Sequence, residues 1–200
     1  MKLSPAEFNL MNTRNRQRAM SYEFDAFLKH LKKHGIDLTG KAILDAGCGP
    51  GFSTGLISRE FGPSRLTAFD LMPEMIDLAK KHEPSADFFV GDITATGLPS
   101  GAFDAVFIFD VLHHEPEWRK ALQEMARVLK PGGVLLVEEP ANLLVRLGNM
   151  FDMCHPPEAM FSWSEFRRGL VSTGFEILGN SRLFLGMFRN YLCQRNPPSL

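Results

Sequence analysis

Acidic residues and glycines at fixed spacings carry the chemistry this sequence can offer. The run from Ile43 to Gly51, Ile-Leu-Asp-Ala-Gly-Cys-Gly-Pro-Gly, sets Asp45, Gly47, Gly49 and Gly51 at alternate positions. Glycines so placed let the backbone turn sharply and approach a ligand with no Cβ in the way. Ser53 and Thr54 open a helical pattern just beyond, so free N–H groups and a helix dipole are expected to face a polar or anionic ligand group. Asp70 stands 19 residues after Gly51, at the end of the apolar run Leu66–Phe69. A carboxylate there can accept hydrogen bonds from both hydroxyls of a ribose. Two further runs end in Gly91-Asp92-Ile93 and in Phe109-Asp110-Val111-Leu112-His113-His114.

Spacing narrows the ligand. The dinucleotide pattern G-x-G-x-x-G needs glycine at position 52, which is Phe52, or glycine or alanine at position 54, which is Thr54, so NAD is disfavoured. A phosphate-loop pattern is nearly complete at Gly35, Gly40 and Lys41. Ala42 replaces its metal-binding hydroxyl, however, and the match precedes the strand instead of following it.

The remaining form, D-x-G-x-G-x-G, resembles the first motif of the class I S-adenosylmethionine (SAM)-dependent methyltransferases. The passage F-D-A-V, V-L-H-H, V-L-K-P-G-G between Phe103 and Gly133 is the closest match, and it resembles the branch that methylates small molecules. Nucleic-acid methyltransferases and many that act on protein amides instead carry N/D-P-P-Y/F after the fourth strand. The resemblance implies a Rossmann-like, doubly wound, seven-stranded and mostly parallel sheet in a three-layer α/β/α fold, with S-adenosyl-L-methionine as cofactor. It implies cofactor binding by Asp45, Gly47, Cys48, Gly49, Gly51, Asp70, Leu71, Met72, Asp92, Ile93 and Phe109. Leu71, Met72 and Ile93 would cover the adenine, and Asp92 would meet its exocyclic amine. Cys48 is expected to fill a tight space in the loop.

The elements that must hold these residues follow from periodicity. Phe24, Phe27, Leu28 and Leu31 recur at helical spacing with Lys29, Lys32 and Lys33 outside, giving an amphipathic helix that Gly35 ends. Strands are expected at Lys41–Asp45, Leu66–Phe69, Asp87–Val90, Asp104–Phe109, Val134–Val137, Phe175–Leu178 and Phe188–Cys193. Helices are expected at Phe52–Phe61, from Pro73 with Met75, Ile76 and Ala79 inward, at Glu117–Leu129, and at Glu165–Ser172 capped by Ser164. The chain then reads as a single domain. Residues 1–40 form a helical lid, 41–139 the SAM-binding core, 140–162 a variable segment on the acceptor side, and 163–195 a C-terminal helix and strands.

Composition sets the outer limits. Two hundred residues at 44% hydrophobic suit one full core, and a net charge of −1 offers no global field for nucleic acid. Cys48, Cys154 and Cys193 are far apart and lack C-x-x-C spacing, so neither a disulfide framework nor a metal site is expected. The N-terminus has no apolar leader core and no run is long enough to span a membrane, so a cytoplasmic protein is expected.

Methyl transfer from a sulfonium needs alignment, and a base only where the acceptor must lose a proton. His113 is the tentative catalytic residue, with a structural role open for it and for His114, while Cys154 and His155 could face an acceptor, local packing or exposure being the expectation for both. Arg14, Arg16 and Arg18 form either a solvated face or, with Tyr22, a basic lid over a ligand carboxylate. The acceptor is expected to be a small, partly apolar molecule held between the N-terminal helix and the segment Ala141–Phe161, where Leu143, Leu144, Met150, Phe151, Met153, Met160 and Phe161 offer adaptable surface. Two other functions use the same fold. One is a SAM-binding partner or regulatory protein without turnover. The other is an aminopropyl transferase, for which Asp110 and Glu115 supply some acid but the long acidic insertions are missing.

Overall fold

The computed structural model describes residues 3–150, Met153 and residues 155–197. Two helices, α1 (Pro5–Met11) and α2 (Arg14–Lys33), precede an alternation of β1 (Ala42–Ala46), α3 (Phe52–Phe61), β2 (Arg65–Asp70), α4 (Pro73–His82), β3 (Asp87–Val90) and β4 (Phe103–Phe109). Then come α5 (Trp118–Val128), β5 (Leu129–Pro140), α6 (Asn142–Asn149), α7 (Trp163–Ser172), β6 (Phe175–Leu183) and β7 (Phe188–Arg195). The seven strands form one sheet in the order β3-β2-β1-β4-β5-β7-β6, parallel except for β7, which runs antiparallel to both neighbours. The order reverses direction between β1 and β4, the switch point at which ligands gather in open α/β sheets.

Alternation along β4 divides the core. Ala105, Phe107 and Phe109 face α2 and α3, while Val106 and Ile108 face α5 and α7. Phe24 of α2 stacks on Phe107 at 6.0 Å, and Phe27 meets Phe109 edge-on at 5.4 Å. The helix that the heptad-like spacing predicts therefore anchors the N-terminal segment to the strand that ends at the site. Aromatic pairs of this kind add about 0.5–1.5 kcal/mol beyond their buried area.

Several boundaries move. The N-terminal segment is two helices, because Ser4 caps α1 and Thr13 caps α2 through its hydroxyl on Arg16 N. β5 runs on through Glu138, Glu139 and Pro140, which pair with Asn190, Arg189 and Phe188, so the strand reaches past its expected end at Val137 and takes in the first residue of the expected variable segment. α7 is capped by Ser162 and not Ser164: the Ser162 hydroxyl accepts from Glu165 N, and Glu165 accepts from Ser162 N in return. Phe161, expected on the acceptor surface, is core, stacked on Phe166 at 4.7 Å. Leu143 and Met150, also expected on the acceptor surface, are 70% and 75% exposed. Phe151 and Cys154 lie outside the described residues.

Candidate functional site

The carboxyl ends of β1 to β5, roofed by α1 and by the stretch around α6, enclose a cavity of about 440 Å³. That lies within the roughly 300–1,000 Å³ of small-molecule sites. Of the residues singled out in the sequence, Gly47, Gly49, Asp70, Leu71, Met72, Asp92, Ile93, Phe109 and His113 line it together. Asp45, Cys48 and Gly51 stand behind the wall and shape it.

The glycine loop is held from within. Gly47 N and Cys48 N both donate to Phe69 O, at 2.8 and 2.9 Å, Gly49 N donates to Asp70 Oδ2 at 3.0 Å, and Gly51 N donates to Cys48 O. The amides of these four positions are spent within the fold, while Gly51, the N-cap of α3, brings no side-chain cap to the first-turn amides where the free N–H groups are expected. A loop whose N–H groups are spent internally does not cradle a phosphate, which counts further against a dinucleotide. Gly47 has φ +77°, and a Cβ there would fall 2.4 Å from Val111 Cγ2. Gly51 has φ +90° and passes so near α4 that a Cβ would lie 2.9 Å from Ala79 Cα. Cys48 fills the gap beside Ala68, Ile76 and Ala79 and is buried, with its thiol pushed well above the ordinary range by burial.

Asp45 ties β1 to the first turn of α3. Its Oδ2 accepts from Ser53 Oγ at 2.7 Å and Thr54 Oγ1 at 2.6 Å, while Oδ1 is buried with no hydrogen-bond partner among the described residues. Burial raises its pKa to about 6 against the pull of the two hydroxyls. Asp70 braces two elements: Oδ2 takes Gly49 N, and Oδ1 takes Met72 N at 2.9 Å, just before Pro73 starts α4. Each oxygen keeps a second lone pair for a ligand hydroxyl. Asp92 closes its own loop, accepting from Thr94 N and Oγ1 at 2.7 and 2.8 Å.

The opposite wall is built from side chains. Arg16, expected on a solvated face or in a lid, is buried against β4. It donates to Glu23 at 2.8 Å and to Asp110 at 2.5 Å, and Asp110 sits at φ +56° to receive it. Tyr22 is 66% exposed and takes no part, while Arg14 and Arg18 stay at the surface. Glu138 lies in the same pocket of acids with both carboxyl oxygens unpartnered among the described residues. Burial, then the charges of Glu23 and Asp110, push its pKa far above the carboxylate range, so it stays protonated at neutral pH.

After β4 a 3₁₀ turn, Leu112–His114, turns two imidazoles into the cavity. Glu139 Oε1 accepts from Val111 N and Leu112 N, and Oε2 accepts from His113 N and stands 2.8 Å from His113 Nδ1. Burial raises the Glu139 pKa to about 8, although three backbone amides pull it back. The ionised carboxylate is the form that satisfies all four donors. Burial lowers His113 to about 4, so it is neutral at neutral pH. Beside it lie His114 and, contrary to the expectation of local packing, His155 from beyond α6, with ring centroids 4.1 and 5.1 Å from that of His113. Glu7 of α1 completes the group. Its Oε1 is 3.4 Å from His114 Nε2 and 3.2 Å from His155 Nε2. Glu7 was hidden in the sequence because Ser4-Pro-Ala-Glu7 reads as a helix cap. Ser4 does accept from Glu7 N, but the Glu7 side chain turns inward.

Residues 44–137 match the model of a family described as a methyltransferase domain. The chain is 40% identical over 97 residues to malonyl-[acyl-carrier protein] O-methyltransferase of Serratia marcescens, a match covering 48% of this chain and 37% of that protein. It is 36% identical over 103 residues to trans-aconitate 2-methyltransferase of Rhodopseudomonas palustris, covering 52% and 40%. The chain thus spans about two fifths of the length of these curated relatives. A crystal structure of a SAM-dependent methyltransferase from Aquifex aeolicus shares the fold over 96% of this chain and 98% of that one, with a TM-score of 0.72 at 23% identity. No described helix is long and apolar enough to cross a membrane.

Proposed function

We propose that this chain is a class I SAM-dependent methyltransferase and transfers a methyl group to a small, partly apolar acceptor bound beneath α1 and α6, a reading supported by the match of residues 44–137 to a methyltransferase domain. SAM supplies a methyl on a positively charged sulfur, an electrophile that needs no covalent protein intermediate, so the residues of the site have to align the partners. Asp70 takes the ribose hydroxyls, Leu71, Met72 and Ile93 cover the adenine and Asp92 its amine. Gly47 and Gly49 bound the amino-acid end, backed by Asp45 and Gly51, and Phe109 closes the floor. Val145, Met153 and Phe188 give the acceptor an apolar wall.

His113 is the side chain placed to take a proton. Its Nδ1 faces Glu139, which leaves Nε2 as the basic nitrogen. A base this weak suits an acceptor that methyl transfer itself makes acidic, because a neutral hydroxyl or amine gains positive charge as its bond to carbon forms. A carboxylate acceptor, the kind implied by the name of the trans-aconitate relative, needs no base.

The observation that carries this reading is the single cavity lined on one side by Gly49, Asp70 and Asp92 and on the other by His113. Incubation with radiolabelled SAM and a panel of carboxylic acids, acyl thioesters, phenols and amines tests it, with titrations of SAM and NAD alongside. Labelled product with one SAM bound per chain and no NAD is expected. SAM binding with no transfer to any class favours a partner or regulatory protein, and NAD binding in place of SAM overturns the reading.

A further inference from the structure

We propose that Glu7, His113, His114 and His155 form a binding site for a divalent transition-metal ion of the Zn²⁺ type. One ligand atom from each lies within 4.8 Å of the others, and all four line the cavity. At the corners of a tetrahedron with bonds of about 2.0–2.2 Å, ligand atoms stand about 3.3–3.6 Å apart. The Glu7–His155 and Glu7–His114 separations, 3.2 and 3.4 Å, are already near that edge.

The hydrogen bonds behind the ligands point the same way. His155 Nδ1 is 2.6 Å from Asn149 Oδ1, which also accepts from His155 N. An amide oxygen is only an acceptor, so Nδ1 carries the proton and Nε2 turns a lone pair toward the Glu7 carboxylate. Two lone pairs at 3.2 Å repel unless a cation lies between them. Glu139 holds His113 Nδ1 in the same way and leaves Nε2 for the ion, the carboxylate–imidazole arrangement that supports metal-bound histidines. Charge closes as well, since a dication balances Glu7 and Glu139, both buried. A second proton on His155 is the competing way to fill the gap between its Nε2 and Glu7.

The ligands come from α1, from the turn after β4 and from the stretch after α6. A bound ion would therefore fasten both covers of the cavity to the sheet. His113 cannot both hold the ion and accept a proton, so occupancy sets which of the two it does. The site does not depend on the methyltransferase reading.

Untagged full-length protein, stripped with chelator and titrated with Zn²⁺, tests this, with Co²⁺ as the optical probe. One Zn²⁺ per chain, visible Co²⁺ bands of tetrahedral intensity and a rise in Tm on Zn²⁺ addition are expected. Glu7→Gln and His155→Ala should each weaken Zn²⁺ at least tenfold and abolish that rise, while each still binds S-adenosylhomocysteine as evidence of folding. Wild-type protein that binds S-adenosylhomocysteine but takes up no Zn²⁺, or an affinity unchanged in both variants, overturns the site. Zn²⁺ uptake without S-adenosylhomocysteine binding supports the metal site and counts against the methyltransferase reading alone.

Discussion

The two walls of the cavity are built on different plans. The wall formed by the ends of β1, β2 and β3 is made of loops that hold themselves: Gly47 and Cys48 on Phe69 O, Gly49 and Met72 on Asp70, Thr94 on Asp92. Each contact joins residues of one strand–helix unit or of two adjacent strands. The wall beyond β4 is made of side chains from distant parts of the chain, Arg16 on Asp110 and Glu7 on His155. The first plan fixes a shape through the backbone and tolerates change around it. The second depends on a few buried charges, each of which is costly to leave alone.

Removing a charge should therefore do the greatest harm on the second wall. Arg16→Met leaves Glu23 and Asp110 buried without their cation beside the protonated Glu138, and breaking a buried pair costs about 3–5 kcal/mol. Denaturant melts should show that loss at neutral pH, and a companion Glu138→Gln should be neutral or stabilising. If Arg16→Met is as stable as wild type, the buried network is not what holds α2 to β4.

On the first wall the damage should come from adding a single carbon. Gly47→Ala places a Cβ 2.4 Å from Val111 Cγ2 at a φ of +77°, and the strain and displacement together should cost about 2–3 kcal/mol. It should also weaken SAM at least tenfold. Gly97→Ala has an equally positive φ but open space around it, and it should lose only the conformational part, about 1–2 kcal/mol. Equal losses in the two variants would show that Val111 gives way and that the walls are not in rigid contact.

The smallest effect concerns the loop after β3. Glu124 accepts from Thr96 N and Oγ1 and pairs with Arg127, which hold its pKa down to about 2. A lowered pKa means that its stabilisation is complete above pH 4.5 and is lost as the pH falls toward 2. Glu124→Gln should cost about 1 kcal/mol at pH 7, and the gap from wild type should narrow through that acid range. A gap independent of pH would assign the loss to packing.

The same contrast governs what the sequence discloses. The fold, Asp70 and the glycine loop are legible because the spacing of a strand, a turn and a helix is local, and α3 and β3 fall where periodicity puts them. Glu139 was hidden because a continuous apolar run does not show where β5 stops; its pairing with β7 decides that. Arg16 reads as one of three arginines on a solvated face or in a basic lid, since nothing near it in sequence reveals that Asp110 waits at the end of β4. Glu7 and His155 are separated by almost the whole chain, and only the packing of α1 beside the stretch after α6 brings them together.

The claim that the two walls of one cavity do different work is tested most directly by calorimetric titration of S-adenosylhomocysteine into Asp70→Ala and His114→Ala. Loss of charge-assisted ribose hydrogen bonds at Asp70 should weaken binding by about 1.5–3 kcal/mol, roughly tenfold or more, while His114→Ala should stay within about twofold of wild type. Affinity unchanged in Asp70→Ala, or lost equally in both variants, would contradict the division.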